Sequence, residues 1–369
     1  MGESSGRRRQ AGSSKVTEVV VLALVGTVLA TVLVLVNLAA TRDDVGWLLH
    51  AGPTNSAAPL LARDFPEEPV TDYGSHDGAY FYAIATDPWH PSAVTPYLDR
   101  PAYRLQRPLF SVVSWALHPT GGGPGLAWTM FAVGVAAMVI GAISTGLLST
   151  SLGGPPWLAL VFPLLPGSLL SLRITVADTL AAALMILAML LMLRSRSVGA
   201  VLVGIAAVLT KEPVLLSFIG IALWRRDRRG AVYAAVPAAV GVAWALFLKA
   251  TVPAGEGSFI DFRPPFVGWV ETVQAWADDP SPLAILSVVG ALVLAAVALI
   301  RSRPSHPLWW AVALNGAFLV LLNNTTLALE RNAPRTALPL LVVSLVCVAT
   351  PHAAGLAAPP RPASLAATG

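Results

Sequence analysis

The chain is predicted to be an all-α polytopic membrane protein, and two features carry that expectation. Of its 369 residues, 55% are hydrophobic and 12% charged, with a mean hydropathy of +0.68, against roughly 25% charged in soluble domains. Apolar runs of about 18 residues or more, enough to cross a ~30 Å hydrocarbon core, recur along it. These features exclude a soluble domain, a nucleic-acid-binding module and a zinc module. The pI of 9.5 has a topological explanation, because basic residues mark the cytoplasmic side of a membrane protein.

Residues 1–15, MGESSGRRRQAGSSK, read as a disordered cytoplasmic tail. The apolar run 16–40 exceeds a signal-peptide core of roughly 7–15 residues, so it is expected to stay as the first span. Basic clusters at Arg7, Arg8, Arg9 and Lys15, at Arg194 and Arg196, at Arg225 to Arg229, and at Arg301 and Arg303 fix the inner side. The stretch 41–103 is acidic, with nine Asp and Glu against three Arg, and 251–282 carries a further acidic set; both are expected outside. Spans then fall at 16–40, 104–118, 125–149, 173–193, 231–250, 283–300, 307–327 and 336–350.

Two stretches fit no simple crossing. Residues 157–172 are interrupted by Pro163, Pro166 and Gly167, and are expected to dip in and return on the outer side. Residues 198–224 lie between two inner Arg clusters, so they must go out and back, bending at Thr210-Lys211-Glu212-Pro213. About ten crossings result, with both termini cytoplasmic, one transmembrane domain over 16–350, and an Ala- and Pro-rich disordered tail at 351–369. No internal repeat is found. Only three basic residues are Lys, against abundant Ala, Val, Gly and Pro, a composition that points to a bacterial plasma membrane. Cys347 is the single cysteine, so no intramolecular disulfide forms.

The outer loop holds the first candidate site. Gly78 to Thr86 is predicted to be a short helix, stopped by Asp87-Pro88 and lying in the membrane interface. Asp77 or Ser75 is its expected N-cap. A carboxylate in that position is also oriented and ionised, as a base for an acceptor hydroxyl must be. Arg100, Arg104 and Arg107 recur at helical spacing beside the second span, and Arg331 and Arg335 stand beside a later outer span end. They either snorkel to the interface or grip a phosphate, for which the planar fork of Arg suits. Asp178, Lys211 and Glu212 are charges in or near the bilayer, all on the outer half. Such groups pair with one another or face a cavity; an ion pair of Asp178 with Lys211 or Arg173 is the structural alternative. His76 and His90 with Asp77 and Asp87 are the candidates for a divalent cation, but no ligand spacing singles them out, and no metal or other cofactor is predicted.

Asp77-Gly78-Ala79-Tyr80-Phe81-Tyr82-Ala83-Ile84-Ala85 with Asp87-Pro88 resembles the DGxxYxxIAxDP pattern of small bacterial members of the GT-C superfamily. These are membrane glycosyltransferases that use polyprenyl-phosphate sugars, and the likeness extends distantly to GPI mannosyltransferases. Tyr103-Arg104-Leu105-Gln106-Arg107-Pro108 is similar to their second-span start, and Leu209-Thr210-Lys211-Glu212 to their LT(K/R)E turn. The resemblance implies sugar transfer from the lipid donor to a hydroxyl of a glycan, lipid or protein acceptor, on the outer face, with inversion. It implies Asp77 as base, with Asp44 the alternative because Asp43 and Asp44 directly follow the first span. Substrate contacts are implied for His76, Tyr80, Tyr82, Arg104, Arg107, Asp178, Lys211, Glu212, Arg331 and Arg335. A transporter or lipid flippase, and a GT-C-like partner without activity, are the other readings.

Overall fold

The computed structural model describes residues 3–41, 45–49, 51–66, 76–253 and 262–350. Among them the protein is all-helical, with one isolated antiparallel bridge between Phe262 and Leu322. The first helix, α1 (Glu3–Thr41), begins well before the apolar run. Residues 3–15, expected to be a disordered tail, continue it, since adding residues to an existing helix is far easier than nucleating one. The tail expected at 351–369 lies outside the described residues.

The segment after α1 carries four short helices, α2 (Ala58–Asp64), α3 (Gly78–Thr86), α4 (Pro91–Val94) and α5 (Pro101–Leu105). Then α6 (Leu109–Leu117) leads to the long α7 (Pro124–Ser151). The bounds of α3 are those expected; its environment is not. Gly78 through Ala85 are all buried, because GAYFYAIAT has no polar face to offer water or headgroups, and a helix apolar all round goes inside. Phe81 meets Phe110 of α6 edge-to-face at 5.6 Å, and Ser111 donates to the Phe81 carbonyl at 2.8 Å. A side chain at Gly78 would collide with the Ile174 carbonyl. The helix is therefore a buried plug, not an interfacial element.

After α7 come α8 (Leu158–Leu164) and α9 (Pro166–Arg173), then α10 (Asp178–Leu193), α11 (Ser197–Thr210), α12 (Leu215–Arg225) and α13 (Arg228–Thr251). The chain finishes with α14 (Val267–Asp278), α15 (Pro282–Arg301), α16 (Trp309–Val320), α17 (Asn324–Leu327) and α18 (Ala333–Ala349). Four helices are long and apolar enough to cross a membrane by length and composition: Ser14–Ala40 within α1, α7, α13 and α15. The helices α10, α11, α16 and α18 are apolar but shorter. Exposed faces such as Val21, Leu24, Val25, Val28 and Val32 of α1, and Leu286, Val289, Val293 and Val297 of α15, suit lipid rather than water.

The helices share two ends. At one, Arg194 donates to Ser151, Trp224 to the Ser305 carbonyl, and His306 bonds Thr350, which gathers the α10–α11, α12–α13 and α15–α16 turns with their arginines. At the other lie α2 to α6, the Lys211–Glu212 bend, and the starts of α10 and α18. Two expected spans change roles against this frame. The run at 104–118 does not cross: α6 has nine residues, a length of about 14 Å, and lies across the end where α7 begins. Conversely, 157–172 does not dip and return. Gly154 sits against Thr350 at the basic end, while Arg173 donates to Asn37 and to the Trp47 carbonyl at the other. The pair α8–α9 runs the whole way, broken at Leu165, whose ψ of 140° leaves the helical region ahead of Pro166. The two changes offset each other, so each later helix runs between the same two ends of the bundle as the expected order of spans requires.

Candidate active site

Helix starts and bends bring charge to the far end of the bundle. Asp178 opens α10, where a carboxylate favours the helix dipole, and Lys211 follows the last turn of α11, where a cation does. Arg335 lies in the first turn of α18, an unfavourable place for a cation unless acids meet it. They do. Its Nη1 donates to Asp77 and Asp178, each at 3.1 Å. Its Nη2 donates to Asp77 at 3.2 Å and to Asn332 at 2.8 Å, and its Nε to the Arg331 carbonyl at 2.6 Å. All five guanidinium hydrogens are thus used.

Asp77 sits at the N-cap position of α3 without capping it. Its backbone is already helical, no side-chain cap bond forms, and its carbonyl takes the Tyr80 and Phe81 amides. The carboxylate turns instead to cations: Oδ1 accepts from Arg104 at 2.7 Å and Oδ2 from Arg335. Burial alone would push the Asp77 carboxyl up. The charges of Arg104 and Arg335, with the Arg104 hydrogen bond, outweigh it and hold the group well below the usual carboxylate range. Arg104 also forks onto Asp99, Nε at 2.8 Å and Nη2 at 2.9 Å, and lies 4.2 Å from the Tyr80 ring centroid.

These groups line one cavity of about 600 Å³. Its charged wall holds Asp77, Arg100, Arg104, Arg107, Asp178, Lys211, Glu212 and Arg335. Phe81, Phe318, Leu322, Pro339 and Leu340 supply an apolar wall. Lys211 pairs with Asp178, which has no bond to Arg173. Arg107 donates through Nε to both oxygens of Glu212, at 3.3 and 3.1 Å. The Tyr103 ring lies among three guanidiniums, 4.5 Å from Arg100, 4.6 Å from Arg107 and 5.5 Å from Arg104.

Eight of the expected site residues therefore meet: Asp77, Arg100, Arg104, Arg107, Asp178, Lys211, Glu212 and Arg335. Four do not reach the cavity wall. Tyr80 backs Arg104; His76 precedes Asp77 in the chain and does not line the cavity; Arg331 contributes its carbonyl to Arg335; and Tyr82 turns away, donating to Asp64 at 2.6 Å and accepting from the Gly123 amide. Asp44, the alternative base, lies outside the described residues, as does Ser75. The divalent-cation candidates separate: His90 pairs with Asp87 at 2.8 Å on the surface, and among the described residues no three His, Cys, Asp or Glu come together.

Four further residues were not anticipated. Asp99 and Asn332 orient the two arginines that hold Asp77, Arg104 and Arg335, and Tyr103 lies between Arg104 and two others, Arg100 and Arg107. Asn315 is 4% exposed on the cavity wall. Both its Nδ2 hydrogens go to Ser217 and Ala311, so its carbonyl oxygen is what it offers a ligand. The signal for Asn315 was available, an amide inside an otherwise apolar run. No protein-family model, curated protein or solved structure matches the chain.

Proposed function

We propose that the protein is an integral membrane glycosyltransferase of GT-C type, transferring a sugar from a polyprenyl-phosphate donor to a hydroxyl acceptor on the outer face of a bacterial plasma membrane. The observation that carries the reading is the junction of an ionised, doubly held carboxylate with a basic wall and an apolar wall in one cavity. An amphiphilic ligand with a single anionic group fits such walls: charge for the phosphate, hydrocarbon for the first isoprene units. The same junction counts against a silent partner, whose charged groups need not converge. In this reading ten helical passes, α8 and α9 forming one, cross the bilayer, with the arginine-rich end and both termini in the cytoplasm. Glycan, lipid and protein hydroxyls all remain as acceptors.

The chemistry balances without a further group. The acceptor oxygen attacks the anomeric carbon from the face opposite the phosphate, and the carbon–oxygen bond to phosphate breaks. Its electron pair stays on the leaving phosphate, and the acceptor's proton goes to Asp77. The basic wall meets the charge that grows on the phosphate. Turnover by the purified chain with a panel of polyprenyl-phosphate sugars, scored as released polyprenyl phosphate, tests this. Release lost in Asp77→Asn and kept in Asp44→Asn supports the assignment. Loss in Asp44→Asn alone moves the base, and absence of both donor binding and release across the panel turns the reading toward a transporter or inactive partner.

A further inference from the structure

Every basic group on the cavity wall cannot serve the phosphate equally, because most are already engaged. Arg335 has no donor left, Arg104 is forked on Asp99 while holding Asp77, and Arg100 turns to Asp99, at 3.9 Å, and to the Tyr103 ring. Withdrawing either from Asp77 would uncouple the carboxylate from the residues that place it. Lys211 is held by Asp178, which is 6% exposed. Arg107 differs. It uses only Nε, and its partner Glu212 is 37% exposed. Both terminal amines of Arg107 make no hydrogen bond to any described residue, and the guanidinium lines the cavity beside Tyr103. A planar fork with both prongs open is the shape that takes two phosphate oxygens.

We infer that Arg107 receives the phosphate of the donor and that Glu212, at the α11–α12 bend, stands in for that phosphate when the site is empty. The inference rests on the glycosyltransferase reading for the ligand's identity, though not for its chemistry, which is that of a phosphate ester. Glu212 is then a specificity residue. It neutralises Arg107 in the empty site and must swing toward solvent when a phosphate arrives, so a weakly charged or neutral lipid cannot displace it. Because the phosphate gains charge as the sugar leaves, Arg107 binds the product phosphate more strongly than the donor diester.

The test is binding of farnesyl phosphate, inorganic phosphate and farnesol to the full chain in lipid nanodiscs by calorimetry, without turnover. Farnesyl phosphate is expected to bind wild type, farnesol not. Glu212→Gln removes the competitor and tightens farnesyl phosphate about three- to tenfold, while Arg107→Gln weakens it about tenfold or more, as loss of a charge-assisted pair does. Inorganic phosphate should follow the same order more weakly; equal affinity for it would assign the site to free phosphate and overturn the lipid-donor form of the inference. Weakening in Glu212→Gln, or unchanged affinity in a folded Arg107→Gln, overturns it outright, as does failure of wild type to bind farnesyl phosphate. Should Arg107→Gln not fold, Glu212→Gln and Glu212→Ala decide alone. The expected order for farnesyl phosphate, with no polyprenyl-phosphate sugar either bound or turned over, would keep this inference and remove the glycosyltransferase reading.

Discussion

Asp77 and Arg335 are 258 positions apart and joined through two hydrogen bonds, at 3.1 and 3.2 Å, so the pair tests whether the site is assembled as described. Arg335 is 6% exposed and Asp77 29%. Two unit charges about 4 Å apart attract by about 4 kcal/mol at an effective dielectric constant near 20, before the cost of removing them from water. Neither residue is orphaned by loss of the other, since Arg104 still holds Asp77 and Asp178 still meets Arg335. Each of Asp77→Asn and Arg335→Gln is therefore expected to cost about 3 kcal/mol, at the low end for a broken buried pair. The double variant should cost about 4 kcal/mol rather than the additive 6, a coupling of about 2 kcal/mol. Unfolding by SDS in mixed micelles, followed by circular dichroism, reads all four proteins on one scale. Arg335→Lys should recover little, because a point charge cannot fork across two carboxylates and an amide. Additivity within about 0.5 kcal/mol would refute the arrangement.

His306 is 1% exposed, accepts from the Leu308 amide through Nδ1 and donates from Nε2 to the Thr350 carbonyl; burial pushes its pKa down to about 4. The unfolded chain takes up that proton near pH 6.5, so stability falls as pH drops from there toward 4, by about 1.4 kcal/mol between pH 7.5 and 5.5; thermal melting of wild type should show the loss and His306→Gln should lack it. A side chain at Gly220 of α12 would lie 2.5 Å from the Ala311 Cα of α16, whereas Gly290 of α15 has open space. Gly220→Val should destabilise by about 2 to 3 kcal/mol and Gly290→Ala by nothing, up to a gain of about 1 kcal/mol, in the same SDS titration. Asp77 stays ionised well into the acid range, so it gives turnover no acid limb above about pH 4. Arg104→Gln removes one of its cations and raises its pKa, so the variant's pH–rate profile should fall at the acid side before that of wild type; coincident limbs would contradict the pairing.

What could be read from the sequence was local or one-sided. The bounds of α3 follow from a helix-forming run closed by Asp87-Pro88, and the α11–α12 bend from charges forced between two arginine clusters. That Asp178, Lys211, Glu212 and Arg335 belong together was legible because each is expensive in a bilayer and lies at the same end of its helix. Which partners which was not. Asp178 had an arginine five residues before it, yet Arg173 follows the α9 direction toward Asn37. The cap expected of Asp77 failed for the same reason: two buried guanidiniums outbid a backbone amide that other groups could satisfy. The misread passes have a different origin. A length criterion counts unbroken apolar residues, so it credited 104–118 and doubted 157–172. The break at Leu165 is tolerated because α18 covers it, with Gly167 set 2.9 Å, measured to an ideal Cβ, from the Leu338 Cβ.

The charge network could be explained as structure alone, since it ties α3, α5, α10, the α11–α12 bend and α18 together. Burial makes that explanation incomplete. Replacing buried ion pairs by well-packed apolar side chains is often neutral or stabilising, so a network kept only to join helices has no reason to surround a void. Here the pairs do surround one, at the end of the bundle away from the arginine-rich turns. Their engagement is also graded. Arg335 is saturated, Arg104 is held at all three of its nitrogens, and Arg107 is held by one nitrogen to a partly exposed carboxylate. The tight members fix the position of Asp77, and the loose one leaves a fork open toward the cavity. A rigid carboxylate and an exchangeable cation in one cavity is the division of labour that the proposed displacement at an anomeric carbon would use: one group stays to take the proton while another follows the charge as it moves onto the leaving phosphate.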